Sequence, residues 1–370
     1  MSDSLVDKLF QIKTEIMYEY TPQIFNLSQK ESREAFQKLY DEHSIIKIID
    51  DFESQTREYD LVREPLRMKR EKMHDDNRMQ NIQNIDKGVW VYYPWRHTAV
   101  HCIDKKKYQE IRLARNQNLI TIDEQIRLQK SRICVLGLNV GYAGALVCAL
   151  EGVGIHFDLV DLDTLSVSNL NRFPAGLCDI GVNKAILAAR HMYEIDPYMS
   201  IDVRTDGLFT EGAEEFLMNK KPDLIIEEVD NLPLKLEVRK IAKKLHIPVI
   251  MVTGNGSNVI LDVERYDQED GLLLNGLLDE TVRLKIENQK DKLSFEEHIE
   301  LARDFIGKKW LTQRLQDSFE QVGKTLAGIP QLGEATFLRG ATLAYTARKI
   351  LLGESVYSGR YEKKLDDLFI

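Results

Sequence analysis

The stretch RICVLGLNVGYAGALVCALEGVG, residues 132–154, decides how the chain is to be read. Its apolar run Ile133 to Leu136 reads as a buried parallel strand. Gly137, Gly141 and Gly144 then break that run before small and apolar residues resume at helical spacing. Strand, glycine turn and helix in this order let backbone N–H groups approach a phosphate while the positive amino end of the helix faces the negative charge.

A second strand, His156 to Val160, delivers Asp161 and Asp163. Asp161 stands 24 residues after Gly137, near the usual spacing for a carboxylate that hydrogen-bonds a ribose, so an adenosine fits. The spacing Gly-x-x-x-Gly-x-x-Gly nevertheless departs from Gly-x-Gly-x-x-Gly, and a close-packed strand–helix turn needs glycines even without a ligand. On these residues alone both readings stand.

The continuation is more specific. DLVDLDTLSVSNLNRF (158–173) leads to Lys184 on a helix, and the strand-like PDLIIEEVDN (222–231) ends in Asp230 and Asn231. Here the chain resembles the ThiF/MoeB superfamily, the adenylating domains of ubiquitin-like activating enzymes, over roughly residues 110 to 350. It looks most similar to a branch that carries the label of molybdopterin biosynthesis proteins. The resemblance implies roles residue by residue. Asp161, the first of the Asp-x-Asp pair with Asp163, holds the ribose; Gly137, Asn139 and Gly141 form the nucleotide turn; Asn169, Arg172 and Lys184 contact the ATP phosphates; Asp230 serves Mg²⁺. An Arg-x-x-Arg pair, Arg112 and Arg115, stands where the family places an arginine that reaches a neighbouring subunit's phosphates, and Arg115 is the one assigned.

Attack of a carboxylate on the α-phosphate builds negative charge that a guanidinium, an ammonium and a metal ion neutralise, and no proton needs to be abstracted. The expected activity is therefore ATP-dependent adenylation of a carboxylate, the C-terminus of a small ubiquitin-like protein or peptide, by a homodimer. The chain departs from the family in three places: its loop is GLNVG, Phe173 stands where a Gln often follows the Arg, and the paired Cys-x-x-Cys zinc ligands are lacking, so no zinc is expected.

With 370 residues, 43% apolar and 29% charged, the chain suffices for one large α/β domain and a smaller appendage. Fifty Lys and Arg against 59 Asp and Glu give a net charge of -9, which disfavours nucleic acid and anionic membranes as partners. The uncharged run Ile133 to Leu150 reaches the length of a short membrane span, but its three glycines and Asn139 favour the strand–turn–helix reading. Neither the cysteine usage nor residues 1–20 suggest export, and a reducing cytoplasm is expected.

The expected organisation is an N-terminal α+β region over residues 1–110, an adenylation domain with helical cover over 111–353, and a tail, 354–370. The first region reads as an amphipathic helix in residues 1–20, then a helical pattern from Ser28 to Asp51 that ends in the apolar run Ile45 to Ile49. A mixed-charge helical face spans Arg63 to Arg78, and a polar linker covers 79–90. The strip GVWVYYPWRHTAV (88–100) is β-prone and broken by Pro94; it lines a groove or closes a core. Beyond Lys184, strands at 200–205, 223–229 and 248–253 alternate with helices at 183–194, 211–219 and 232–246. That alternation predicts a doubly wound, mostly parallel Rossmann-like sheet, which VILDVERYD (259–267) extends antiparallel. Helices return over 293–353.

An NAD-dependent oxidoreductase would share the glycine turn and Asp161 but leaves Arg172, Lys184 and Asp230 without a role as a set. A catalytically silent adaptor would keep the fold alone. All four cysteines, Cys102, Cys134, Cys148 and Cys178, precede Asp230, whereas the family's thioester-forming cysteine follows it, so no thioester is expected.

Overall fold

A computed structural model of the chain describes residues 18–65, 84–288 and 293–369. Residues 1–17 of the expected N-terminal helix, most of the mixed-charge face and residues 79–83 of the linker lie outside the described residues; residues 18–20 are not helical. The described residues fall into two compact units, one within residues 18–122 together with 189–199 and the other within residues 123–188 together with 200–369. The first break between the units thus falls 12 residues after the boundary expected at 110.

The first unit is a four-stranded sheet in the order β1 (Gln23–Phe25), β3 (Val89–Tyr93), β4 (Thr98–Cys102), β2 (Lys47–Asp50), flanked by α1 (Lys30–Asp41), α2 (Phe52–Arg63) and α3 (Lys105–Arg112). The run Ile45 to Ile49 does not end a helix; it leads into β2, which pairs parallel to β4. A short apolar run fits either element, and here the ladder with Thr98–His101 decides. The aromatic strip folds back on itself as β3 and β4, with Pro94–Arg96 as the turn, and closes a core. His101 lies flat between Trp90 (4.5 Å) and Phe52 (4.6 Å), with Nδ1 2.9 Å from Asp50 and Nε2 2.8 Å from the Lys87 carbonyl. Since β1 and β2 precede residue 79 while β3 begins at Val89 and β4 follows it, the expected linker lies between strands of one sheet rather than between domains.

The second unit carries the expected α/β architecture. After α4 (Ile122–Leu128) come β5 (Arg132–Leu136), α5 (Leu138–Glu151), β6 (His156–Val160), α6 (Lys184–Ile195, of which residues 189–195 count with the first unit), β7 (Ser200–Arg204), α7 (Thr210–Lys220), β8 (Leu224–Glu227), α8 (Leu232–Leu245) and β9 (Val249–Asn255). Strands β7, β6, β5, β8 and β9 are all parallel neighbours in that order. The next strand, β10 (Asn258–Glu264), turns back antiparallel on β9. Helices α9 (Glu280–Glu287), α10 (Phe295–Ile306), α11 (Gln313–Phe319) and α12 (Gly333–Leu351) follow. The tail is not loose: β11 (Gly359–Lys363) pairs with β10 and completes a seven-stranded sheet.

Side chains alternate across β5. Cys134 and Leu136 join the apolar cluster that holds Leu234 and Val238 of α8, while Val135 meets Gly141 of α5. Helices therefore cover both faces, and α12 lies on the α5 side. The packing there is close enough to require glycine from each helix. A Cβ at Gly144 would lie 2.9 Å from Leu343 Cδ1, and one at Gly340 would lie 2.8 Å from the Ala143 carbonyl. Among the described residues no helix is long and apolar enough to cross a membrane.

Candidate active site

The site forms in the second unit, where the carboxyl ends of the parallel strands leave a crevice. The turn after β5 is a single residue. Gly137 has φ +86°, and a Cβ there would lie 2.5 Å from the Glu228 carbonyl oxygen, so only glycine fits. The helix begins at once with Leu138, which corrects the expectation of a turn running through three glycines. Gly141 lies within α5, where an added Cβ would meet Val135 Cγ1 at 2.6 Å; its visible role is packing on the strand. Asn139 stands in the first turn of α5, and its Oδ1 is buried without a hydrogen-bond partner among the described residues.

Asp161, at the end of β6, ties this turn to the next loop. Its carboxylate accepts from the Leu138 N–H (2.5 Å) and from the Asp163 N–H (2.7 Å). Burial raises its pKa from the ordinary carboxylate value, and these two N–H groups act against that rise. The Asp161 carbonyl in turn accepts from Asn183 Nδ2 (2.9 Å), and Asn183 Oδ1 receives the Ala185 and Ile186 N–H groups, which caps α6. Lys184, 4% exposed, reaches Asp163 Oδ2 at 2.9 Å. One connected series of bonds therefore runs from the glycine turn through Asp161 and Asp163 to Lys184.

Asn169 and Arg172 lie on the loop between β6 and α6. Asn169 Oδ1 accepts from the Ser166 N–H and hydroxyl (both 3.1 Å), which shapes the turn Val167–Asn169. Arg172 Nη1 donates to the Ser168 carbonyl (3.0 Å) and Asn171 Oδ1 (2.8 Å), while its Nε is buried with no hydrogen-bond partner among the described residues. Burial lowers the pKa of this guanidinium, and the charge of nearby Asp230 acts the other way. Asp230 itself is exposed just past β8, and Asn231 caps α8 through the Leu234 N–H. Phe173 is buried and stacks on Tyr142 at 4.4 Å.

Among the described residues no group of three metal-ligating side chains occurs. A lone carboxylate beside a phosphate site still suits Mg²⁺, which keeps its waters and takes one or two protein carboxylates together with phosphate oxygens. Arg115 belongs to the first unit, exposed on the turn Ala114–Asn116. Cys102, Cys134 and Cys148 are buried, with burial pushing the Cys102 thiol up to about 11, and only Cys178 is exposed.

Two charged residues of this crevice escape the sequence motifs. Glu228 is buried; burial pushes its carboxyl up to about 8, and Oε1 accepts from the Val252 N–H at 2.6 Å. Arg339 of α12 is 3% exposed. Their signals were a Glu doublet closing an apolar strand and a single arginine within a run of small and apolar residues, ATFLRGATLAY.

Residues 113–265 match the sequence profile of the ThiF family. An uncharacterized protein of Mycobacterium tuberculosis is 39% identical over 272 residues, which is 73% of this chain and 37% of that protein. The tRNA threonylcarbamoyladenosine dehydratase of Haemophilus influenzae is 31% identical over 140 residues, 37% of this chain and 53% of that one. The molybdopterin-synthase adenylyltransferase of the same organism is 28% identical over 134 residues, 35% of this chain and 54% of that one. The chain spans between 37% and 54% of the length of these curated relatives.

Proposed function

We infer, from a chain that carries a ThiF family domain, that it is an ATP-dependent adenylyltransferase that activates a carboxylate as an acyl-adenylate and releases pyrophosphate. The observation that carries this reading is the bonded series from Leu138 through Asp161 and Asp163 to Lys184, which brings a helix amino end and a buried ammonium to one crevice. The name of the molybdopterin-synthase adenylyltransferase relative supports adenylation over the nicotinamide alternative.

In this reading Asp161 orients the ribose, Gly137 and Asn139 leave room for the phosphates at the start of α5, and Asn169, Arg172 and Lys184 contact them. Asp230 would hold Mg²⁺, which supplies Lewis-acid polarisation of the phosphate oxygens. The substrate is the C-terminal carboxylate of a small protein or peptide. The enzyme works as a homodimer, with Arg115 contributed toward the partner's phosphates, and the acyl-adenylate passes to an external nucleophile without a thioester. The three buried thiols fit that last point, since a desolvated thiol is a poor nucleophile.

ATP–pyrophosphate exchange in the presence of candidate peptides and small-protein tails tests the reading. Arg172→Ala is expected to lose about 2 to 4 kcal/mol of transition-state stabilisation, and Asp230→Ala should abolish exchange while the fold is kept. Wild-type exchange rates in the Asp230 variant would remove the metal assignment.

A further inference from the structure

Arg339 is a buried charge that the motif residues leave unexplained. Its Nε donates to the Ala335 carbonyl (3.1 Å) and one terminal nitrogen, Nη2, to Thr336 Oγ1 (2.8 Å), both on its own helix. Among the described residues it forms no ion pair. The other terminal nitrogen, Nη1, is held against the end of β9, where a Cβ at Gly254 would lie 2.8 Å from it. Glu228 is a nearby carboxylate whose charge acts against the lowering of the Arg339 pKa by burial, but the two form no ion pair or hydrogen bond among the described residues.

Arg172 belongs to the same end of α12. Asn171 Nδ2 donates to the Gln331 carbonyl (2.9 Å), and a Cβ at Gly333 would lie 3.0 Å from the Asn171 carbonyl oxygen, so this loop rests on the start of the helix. Arg339 follows Gly333 by six residues, about 9 Å along the axis. Arg172 also lacks an ion pair among the described residues, and each guanidinium lies within the other's electrostatic reach. Two guanidiniums without an ion pair among the described residues, one almost wholly desolvated, are costly unless an anion joins them. Gly254, Gly333 and Gly340 are the positions that allow α12 to come this close.

We propose that Arg339 is a phosphate-binding residue of the crevice, which together with Arg172 receives oxygens of the nucleotide's phosphates. This rests on the adenylyltransferase reading above and adds to it a contact from the C-terminal helix. A planar guanidinium offers two parallel N–H donors to a phosphate, which an ammonium does not.

Calorimetric titration of the full chain with ATP and Mg²⁺, and separately with adenosine, tests the proposal, alongside thermal melts of the ligand-free protein. Arg339→Gln is expected to weaken ATP binding by about tenfold or more, to leave adenosine affinity unchanged, and to melt no lower than wild type. A loss for ATP of less than about threefold, or an equal loss for adenosine, overturns it. So does a fall in the ligand-free melting temperature that accounts for the whole loss. Should Arg339→Gln not fold, Arg339→Lys is read in the same way: charge without the fork should still weaken ATP by about threefold or more while sparing adenosine. A wild-type chain that binds neither ligand would refute the nucleotide reading itself, a different result from wild-type ATP affinity in the variant.

Discussion

Glu227 and Glu228 are neighbours at the end of β8, yet they point to opposite faces of the sheet and meet opposite electrostatics. Glu227 turns toward α8 and enters a closed network. Lys235 reaches it at 3.0 Å and Arg239 at 2.5 Å, Arg239 also binds Glu264 at 2.7 Å, and Glu264 further accepts from the Tyr266 hydroxyl and the Leu274 N–H. Burial alone would raise the Glu227 pKa, but Lys235 and Arg239 outweigh it and hold the carboxyl below its ordinary value. Glu228 turns toward α5 and α12, where Arg339 and Arg172 form no ion pair among the described residues and burial pushes Glu228 itself up to about 8. The first face completes its charges within the protein, as a structural network must; the second leaves positive charge over, as a binding site for an anion does.

The comparison breaks most readily at its two arginines. Arg239→Met leaves buried carboxylates short of a partner and should cost about 3 kcal/mol or more in urea unfolding, whereas Arg339→Met should cost no more than about 1 kcal/mol. Equal losses would mean that both faces are structural.

The pH dependence of Glu228 sharpens it next. Because its folded pKa of about 8 lies above the unfolded value of 4.5, the penalty of keeping it neutral is absent below pH 4.5, grows as the unfolded chain ionises, and is complete above pH 8. Glu228→Gln keeps the acceptor for the Val252 N–H and never ionises. It should therefore gain up to about 4 kcal/mol on wild type between about pH 5 and pH 9, measured by denaturant midpoints. A constant difference across that range would show that Glu228 is ionised beside Arg339 throughout, and the second face would then be closed as well.

The smallest effect expected is that of Gly340→Ala, whose new methyl would press on the Ala143 backbone and should cost about 1 to 2 kcal/mol. The same variant should weaken ATP more than adenosine, since it displaces Arg339 from the crevice. Unchanged discrimination between the two ligands would separate the helix packing from phosphate binding.

The parallel core was legible because each of its strands is an apolar run set off by turn residues, and each helix between them is long enough to show its period. The strand β6 falls on residues 156–160 as the sequence indicates, and the residues Asp161, Asp163 and Lys184 prove to be bonded to one another. Local signals misled where two structures share one pattern. The run Ile45 to Ile49 suits a helix end as well as a strand, and Gly141 and Gly144 suit a turn as well as a tight helix contact. The strand GRYEK was hidden because it lies at a sheet edge, where half-exposed polar residues carry no alternation. Glu228 and Arg339 were beyond any local reading, because 111 residues separate them and only the folding of α12 onto α5 brings them together.

The reciprocal glycines of that helix pair have a consequence for how such chains diverge. Gly144 makes room for Leu343 and Gly340 makes room for Ala143, so neither helix can gain a side chain at the crossing unless the other loses one. Substitutions at these four positions should therefore be accepted in descendants only as coupled exchanges. Until such an exchange occurs, the height of α12 beside the Gly137 turn is inherited unchanged.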